Sequence, residues 1–243
     1  MFVFPMLGRS SRFFEAGYTL PKYKLPLGVD GQIVFDHVLS SFRRYFDTDL
    51  FVLLCRADTN DRAFLIKRMQ SLGVRRFDVI EYAGETGGQA ESVELSLSRA
   101  PDEEELFIFN IDTILRNFEK DAARGEVAGY LEVFRGEGTH WSFVEPDPER
   151  DGHAARVVEK DRISDLCSNG LYYFASVRTF ASALNLYRLK HRGVAGEFYV
   201  APLYNEMIER GMPVSYKLVP EGEIGFCGVP EEYVKLGSLI CAV

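Results

Sequence analysis

Leu50-Phe51-Val52-Leu53-Leu54-Cys55 is a run without one charged or amide side chain. A half-exposed strand alternates polar and apolar residues. A continuous apolar run instead reads as a strand buried on both faces, as in parallel sheets covered by helices. The segments on either side have helical spacing. Phe35, Val38, Leu39, Phe42 and Phe46 share one helical face before the run. Leu65, Met69 and Leu72 share another after it, and Gly73 supplies a C-terminal stop. Phe2–Pro5, Val79–Tyr82 and Leu106–Phe109 are further strand candidates, with Ala90, Val93, Leu97 and Ala100 aligned on a helix before the last of them. Strand and helix alternate through the first half, which predicts an α/β fold. We expect a single domain over residues 1–243, with a mixed, mostly parallel central sheet and helices on both faces.

The second half changes rhythm. Gly129–Phe134, Trp141–Glu145, Arg156–Glu159 and Leu171–Phe174 are strand-like with short connections, so antiparallel pairing is expected there. Helices return near Phe180–Tyr187 and Pro202–Glu209, the latter closed by Gly211. Pro230 opens a last helix whose first turn holds Glu231 and Glu232, where acids suit the helix dipole.

Composition narrows the function. The chain is 47% hydrophobic and 26% charged, within the soluble globular range. Its formal charge of −8 argues against coating nucleic acid. The charge is uneven, however. Residues 1–24 hold Arg9, Arg12, Lys22 and Lys24 against one acid, Glu15, so small polyanions remain eligible ligands. Cys55, Cys167, Cys227 and Cys241 lie in no C-x-x-C pair or zinc spacing, and read as reduced thiols of a cytoplasmic protein. No apolar stretch reaches membrane-spanning length, and Met1–Pro5 reads as a first strand and not a signal peptide.

Three places carry candidate chemistry. Gly8-Arg9-Ser10-Ser11-Arg12 follows the first strand, with Pro21-Lys22 soon after. Small residues let backbone N–H groups approach a phosphate, and Arg12 and Lys22 supply charge. Neither G-x-x-x-x-G-K-[ST] nor G-x-G-x-x-G occurs. Asp112 follows the Leu106–Phe109 run, at the strand end where open α/β sheets bind ligands, and is a hard oxygen donor suited to Mg²⁺. Glu159-Lys160 ends a strand, with Asn169-Gly170 shortly downstream; a carboxylate beside an ammonium can read a polyol and a phosphate together. Taken singly, each has an ordinary reading: a strand-to-helix loop, a capping aspartate, a surface charge pair. Trp141, the only tryptophan, is either an acceptor platform or a packed rim residue. The four histidines form no Ser/His/Asp pattern.

In this order the motifs resemble the sugar-1-phosphate nucleotidylyltransferase superfamily, the nucleoside-diphosphate-sugar pyrophosphorylases. The resemblance spans nearly the whole chain. Gly8-Arg9-Ser10-Ser11-Arg12 and Pro21-Lys22 are similar to its first loop, Thr86-Gly87-Gly88-Gln89 to its base-binding loop, and Asp112 to its metal-binding aspartate. Glu159-Lys160 resembles its acceptor motif and Gly228-Val229-Pro230-Glu231-Glu232-Tyr233 its late Gly-Thr-Pro-Glu-Asp-Tyr segment. Ser10-Ser11-Arg12-Phe13-Phe14, Gly88-Gln89-Ala90-Glu91, His140-Trp141-Ser142-Phe143 and Ile163–Ser168 resemble a bacterial subgroup associated with capsule or lipopolysaccharide biosynthesis.

The resemblance implies transfer of a nucleotidyl group from a nucleoside triphosphate to a phosphorylated acceptor such as a sugar 1-phosphate, with release of pyrophosphate. It implies catalytic roles for Arg12, Lys22 and Asp112, with Mg²⁺ on Asp112. Gly8, Arg9, Ser10, Ser11, Gly88 and Gln89 would bind nucleotide. Glu159, Lys160, Asn169, Gly170 and Trp141 would face the acceptor. Three positions depart from the pattern: Ser10 replaces a second glycine, Phe226 stands where a second metal-binding acid is common, and Glu81 occupies the base-reading Gln region. Asp165 and Glu223 are candidate substitutes for that acid. Base, acceptor and oligomeric state, monomer or homo-oligomer, stay open. A cytidylyltransferase for a non-sugar acceptor, a glycosyltransferase and a non-catalytic nucleotide-sugar sensor are the competing readings.

Overall fold

A computed structural model describes residues 1–28, 31–191 and 196–240. Cys241 lies outside the described residues; Cys55, Cys167 and Cys227 are buried free thiols. In chain order the elements are β1 (Phe2–Pro5), α1 (Ser11–Glu15), α2 (Val34–Ser40), β2 (Leu50–Arg56), α3 (Arg62–Leu72), β3 (Arg76–Tyr82), α4 (Gln89–Glu94), β4 (Leu106–Phe109), β5 (Thr113–Leu115), β6 (Gly129–Arg135), β7 (Ser142–Pro146), β8 (Ala154–Glu159), β9 (Leu166–Phe174), α5 (Val177–Lys190), α6 (Leu203–Ile208), β10 (Val214–Leu218), β11 (Ile224–Phe226) and α7 (Pro230–Ile240). The fold is α/β with a mixed sheet, as the alternation predicts.

The chain divides into two compact units. One comprises Met1–Val3, Gly84–Phe109 and Lys120–Glu221; the other comprises Phe4–Ala83, Asn110–Glu119 and Gly222–Val243.

The first unit orders its strands β10-β6-β9-β4-β1. The outer pairs β10–β6 and β4–β1 are parallel, whereas β9 runs antiparallel to both β6 and β4. β7 and β8 form an antiparallel pair attached to β9 through Phe143 and Cys167. The core is aromatic. Tyr130 and Tyr173 stack with centroids 4.8 Å apart, and Phe174 stacks on Tyr204 of α6 at 4.7 Å. The Tyr204 hydroxyl, fully buried, reaches the carbonyls of Tyr130 and Tyr173 at 2.9 Å each, which satisfies its polar end. Gly129 makes this approach feasible, since a Cβ there would lie 2.7 Å from the Tyr173 carbonyl oxygen.

In the second unit β2 and β3 pair in parallel from Leu50↔Arg76 to Arg56↔Tyr82, and α3 packs on β3. The start of α2 is fixed by Asp36, whose carboxylate accepts the Ile33 N–H at 2.9 Å and pairs with Arg68 of α3. β11 and β5 form a separate antiparallel pair.

Two helices end sooner than their apolar spacing predicts. The face through Phe46 is helical only to Ser40 and then becomes a 3₁₀ turn, Arg43–Tyr45. Ser41 Oγ donates to the His37 carbonyl and accepts the Leu115 N–H at 2.9 Å, a local alternative to helix continuation. Likewise α4 stops at Glu94, and Ser96 Oγ donates to the Val93 carbonyl at 2.6 Å. Both serines leave the apolar residues buried or half-buried while changing the backbone.

β9 is the other departure. It begins at Leu166 and all nine of its residues are buried, so Ser168, Asn169 and Gly170 lie inside a strand. Its pairing with β6 shifts register between Leu131 and Val133, and Glu132 fills that irregularity. Lys217 Nζ donates to Glu132 Oε1 at 3.0 Å and Asn169 Nδ2 to Oε2 at 3.1 Å. Burial pushes the Glu132 carboxyl above the usual carboxylate range, and Lys217 opposes that shift.

Candidate active site

In the second unit the loop after β1 turns at Ser10, which has a left-handed φ of 53°. That backbone explains why a glycine suits the position. Ser10 keeps the glycine-like conformation and adds a contact, because its Oγ accepts the Lys22 N–H at 3.2 Å. A Cβ at Gly8 would meet nothing within 4 Å, so the backbone of the loop is open to a ligand. Arg9, Ser11 and Arg12 are exposed around it, while Phe13 anchors α1 in the core.

Lys22 starts a 3₁₀ turn, Lys22–Lys24, that is fastened from below. Tyr23 Oη and Lys24 Nζ both donate to Asp61, which is 1% exposed. A buried carboxylate with two charge-assisted partners holds the turn in one geometry. Lys22 itself points to Asp112, with Nζ 2.5 Å from Oδ2. The structure therefore unites two residues that are 90 positions apart.

Asp112 is held by the chain that enters α7. Its carbonyl accepts the Cys227 N–H at 2.9 Å and the Cys227 thiol at 3.1 Å. Burial and the Asp112 charge push that thiol well up, so Cys227 is a neutral hydrogen-bond donor. Gly228 leaves room beside the carboxylate: a Cβ there would lie 3.1 Å from Asp112 Oδ2 and 3.4 Å from Glu232 Oε2. Glu232, which accepts the Gly228 N–H at 2.9 Å, is thus the acid brought near Asp112. Phe226 is committed to pairing with Thr113, Asp165 pairs with Arg135, and the Glu223 carbonyl accepts from Arg116. Among the described residues, no group of three or more His, Cys, Asp or Glu can hold a metal ion.

The first unit carries the other candidates. Thr86–Gln89 leads into α4, with Gly88 at φ 148°. A Cβ on Gly88 would lie 2.5 Å from Phe198 N and 2.6 Å from its carbonyl oxygen. Those are backbone atoms that cannot rotate away, so we expect Gly88→Ala to lower stability by about 1–3 kcal/mol. Thermal melting checks this, and an unchanged Tm would contradict the tight approach.

Glu159 ends β8 and Lys160 follows it. Ser142 Oγ donates to the Glu159 carboxylate and lies 3.2 Å from Tyr172 Oη. Burial raises the Glu159 carboxyl above its ordinary value, against the Ser142 hydrogen bond and the Lys160 charge. Lys160 has a left-handed φ of 57° and sends Nζ to Tyr199 Oη at 2.6 Å. Asn169 is buried, with its amide on Glu132 and its carbonyl accepting the Leu171 N–H at 3.0 Å, and buried Gly170 has φ 91°. Trp141 packs edge-on to Phe134 at 5.2 Å and donates to the Glu137 carbonyl at 2.9 Å.

Asp61, Ser142, Tyr172, Glu197, Tyr199 and Glu232 are the participants that sequence reasoning missed. Each acts on a motif residue from a distant or unremarkable position. Glu232 and Ser142 carried a signal, through their places in the late Gly228–Tyr233 motif and the His140–Phe143 run.

A crystal structure of the nucleoside-diphosphate-sugar pyrophosphorylase from Vibrio cholerae RC9 matches this chain with a TM-score of 0.92 and 39% identity, over 98% of this chain and 100% of the other. The chain belongs to the nucleoside-diphosphate-sugar pyrophosphorylase family. More distant pyrophosphorylase-fold structures agree in fold alone. The inositol-1-phosphate CTP transferase of T. maritima is 16% identical with a TM-score of 0.74, over 98% of this chain and 94% of its own. A UDP-glucose pyrophosphorylase complexed with UDP-glucose is 12% identical with a TM-score of 0.73, over 98% and 97%. No family model and no curated protein matches the chain. Among the described residues of this pyrophosphorylase-family chain, no helix is long and apolar enough to cross a membrane.

Proposed function

We propose that residues 1–243 work as one nucleotidyltransferase domain that moves a nucleoside monophosphate from a nucleoside triphosphate to a phosphorylated acceptor. An acceptor phosphate oxygen attacks the α-phosphorus, the bond from that phosphorus to the bridging oxygen breaks, and pyrophosphate leaves. The observation that carries this reading is Lys22 Nζ at 2.5 Å from Asp112, on a turn tied to the open Gly8–Arg12 loop. Phosphoryl chemistry needs positioning and charge neutralisation more than covalent help, and this cluster offers both.

In this reading Gly8, Arg9, Ser10 and Ser11 bind the phosphates, and Arg12 neutralises the departing pyrophosphate. Lys22 holds the α-phosphate. Gly88 and Gln89 bind the nucleoside, and Glu159, Lys160, Gly170 and Trp141 serve the acceptor. Asn169, bonded to Glu132 and to the Leu171 N–H, and Ser168, which accepts the Gly170 N–H, fix the strand on either side of Gly170. Mg²⁺ is ordinarily held by one or two carboxylates together with substrate phosphates. Asp112 with Glu232 nearby suits that donor set, and Gly228 leaves the space between them. Bound there, the ion would supply charge neutralisation of phosphate oxygens.

The superfamily resemblance supports a sugar 1-phosphate acceptor, the subgroup resemblance a place in surface-polysaccharide synthesis, and the cysteine spacing a cytoplasmic setting. The test is a matrix of five nucleoside triphosphates against sugar 1-phosphates and phosphorylated amino alcohols, with pyrophosphate as readout. Pyrophosphate from one pair supports the reading. Nucleoside diphosphate from a nucleotide sugar indicates a glycosyltransferase, and binding without turnover indicates a sensor.

Glu159 gives a narrower expectation. Glu159→Gln raises the acceptor KM on the order of tenfold, since a charge-assisted contact is lost. Its carboxyl is raised in the fold, so lowering the pH neutralises it sooner than an ordinary glutamate. The wild-type acceptor KM therefore rises as pH falls towards the carboxylate range, while that of Glu159→Gln stays flatter. Parallel pH profiles for the two proteins would sink the assignment.

A further inference from the structure

One short segment of the first unit touches both the Gly87–Gln89 loop and Lys160. Phe198 grips the loop through its backbone: its N–H donates to the Gly87 carbonyl at 2.7 Å and its carbonyl accepts the Ala90 N–H at 2.8 Å. The Phe198 ring is anchored on α5, 5.9 Å from the Tyr187 ring centroid, with the Arg188 guanidinium also 5.9 Å from its own centroid. Arg188 in turn pairs with Glu91 and Glu94 of α4 at 3.1 and 2.6 Å. The next residue reaches the acceptor motif. Lys160 Nζ donates to Tyr199 Oη at 2.6 Å and lies 4.5 Å from the ring centroid, and Tyr199 Oη donates to Glu197. Lys160 sits in the left-handed region, at φ 57°, which a lysine adopts only when its surroundings hold it there.

We infer that Phe198 and Tyr199 form a strap through which a nucleotide seated on the Gly87–Gln89 loop positions Lys160 for the acceptor phosphate. This rests on the roles proposed above for that loop and that lysine. Phe198 cannot follow the loop without carrying Tyr199, because the residues are covalently adjacent and the Gly88 contact leaves no slack: a Cβ there would come within 2.6 Å of both Phe198 backbone polar atoms. Tyr199 is then a positioning residue. Its hydroxyl passes a hydrogen bond from the ammonium to the Glu197 carboxylate, which fixes where Nζ stands and keeps its charge. Coupling of this kind is reciprocal, so an acceptor on Lys160 also tightens the nucleotide loop.

Hydrogen exchange on the full chain tests the strap without a known acceptor. The probes are CTP, UTP, dTTP, ATP and GTP, each with Mg²⁺. In the wild type, the triphosphate that slows exchange across residues 84–92 also slows it across residues 157–163, by about fivefold or more. Tyr199→Phe keeps the ring and the Phe198 backbone contacts but lacks the hydroxyl. It retains the slowing at 84–92 and loses it at 157–163. Slowing at 157–163 that persists in Tyr199→Phe, or that is absent from a wild type protected at 84–92, overturns the strap while leaving the loop assignment standing. If none of the five triphosphates protects 84–92, the loop assignment fails and the strap falls with it. Unchanged exchange in β6 and β9 of the variant shows that its fold is intact.

Discussion

Lys22→Ala is expected to lower kcat for pyrophosphate release by about 10²–10³-fold, the usual effect of removing one preorganised charge contact from a transition state. Lys22 is built for such a contact. Its N–H is taken by Ser10 Oγ, the next two residues are fastened to buried Asp61, and its ammonium already lies 2.5 Å from a carboxylate. Nothing needs to reorganise for the charge to act. Asp112→Asn should cost a similar factor, and the double variant little more than the worse single one, because groups that act as a unit are not additive. The Lys22 and Asp112 side chains are 23% and 18% exposed, so both variants should fold, which a melting curve verifies. Retention of kcat within tenfold by either single variant would remove the pair from the catalytic machinery.

The largest stability effect should come from Lys217→Met. Glu132 is 2% exposed and its two carboxylate oxygens are shared between Lys217 and Asn169. Removing one partner of a buried pair leaves an uncompensated charge, at a cost of about 3 kcal/mol. For a chain of this size that corresponds to a Tm lower by about 6–12 °C. The deficit should depend on pH. The Glu132 pKa is raised in the fold, and loss of Lys217 removes a charge that opposes the rise. The folded form then binds a proton that the unfolded chain releases at ordinary carboxylate pH. The associated stability is present below that pH and is lost as pH climbs through the raised value. Urea denaturation should therefore show a smaller gap between variant and wild type at pH 5 than at pH 8. An equal gap would mean that Glu132 is not the charge left behind.

The parts of the fold legible in the sequence are those where one residue type answers one question. Leu50–Cys55 announced a strand buried on both faces because Phe51–Cys55 are all buried. Asp112 was legible as a candidate because it follows another apolar run. Leu166–Gly170 was not, since Ser168 and Asn169 look like loop residues. Their internal partners, the Gly170 N–H for Ser168 and Glu132 with the Leu171 N–H for Asn169, make them acceptable in a buried strand. Asp61 is similar. It lies 38 residues beyond Tyr23, and its importance is a matter of who meets it in space. Ser41 and Ser96 shortened their helices through bonds to nearby carbonyls, a competition that apolar periodicity does not register.

The placement of β9 has a consequence for biosynthesis. β9 pairs antiparallel with both β4 and β6, and both of those strands precede it in the chain. While the ribosome is still short of Phe174, each of them presents an unpaired edge rich in Leu, Phe, Val and Tyr. Such edges recruit other chains, so the nascent protein passes through a sticky interval that closes only when β9 is delivered. Chains truncated before Leu166 should accumulate in the insoluble fraction, and slowing translation across codons 136–174 should lower the soluble yield of the full-length protein.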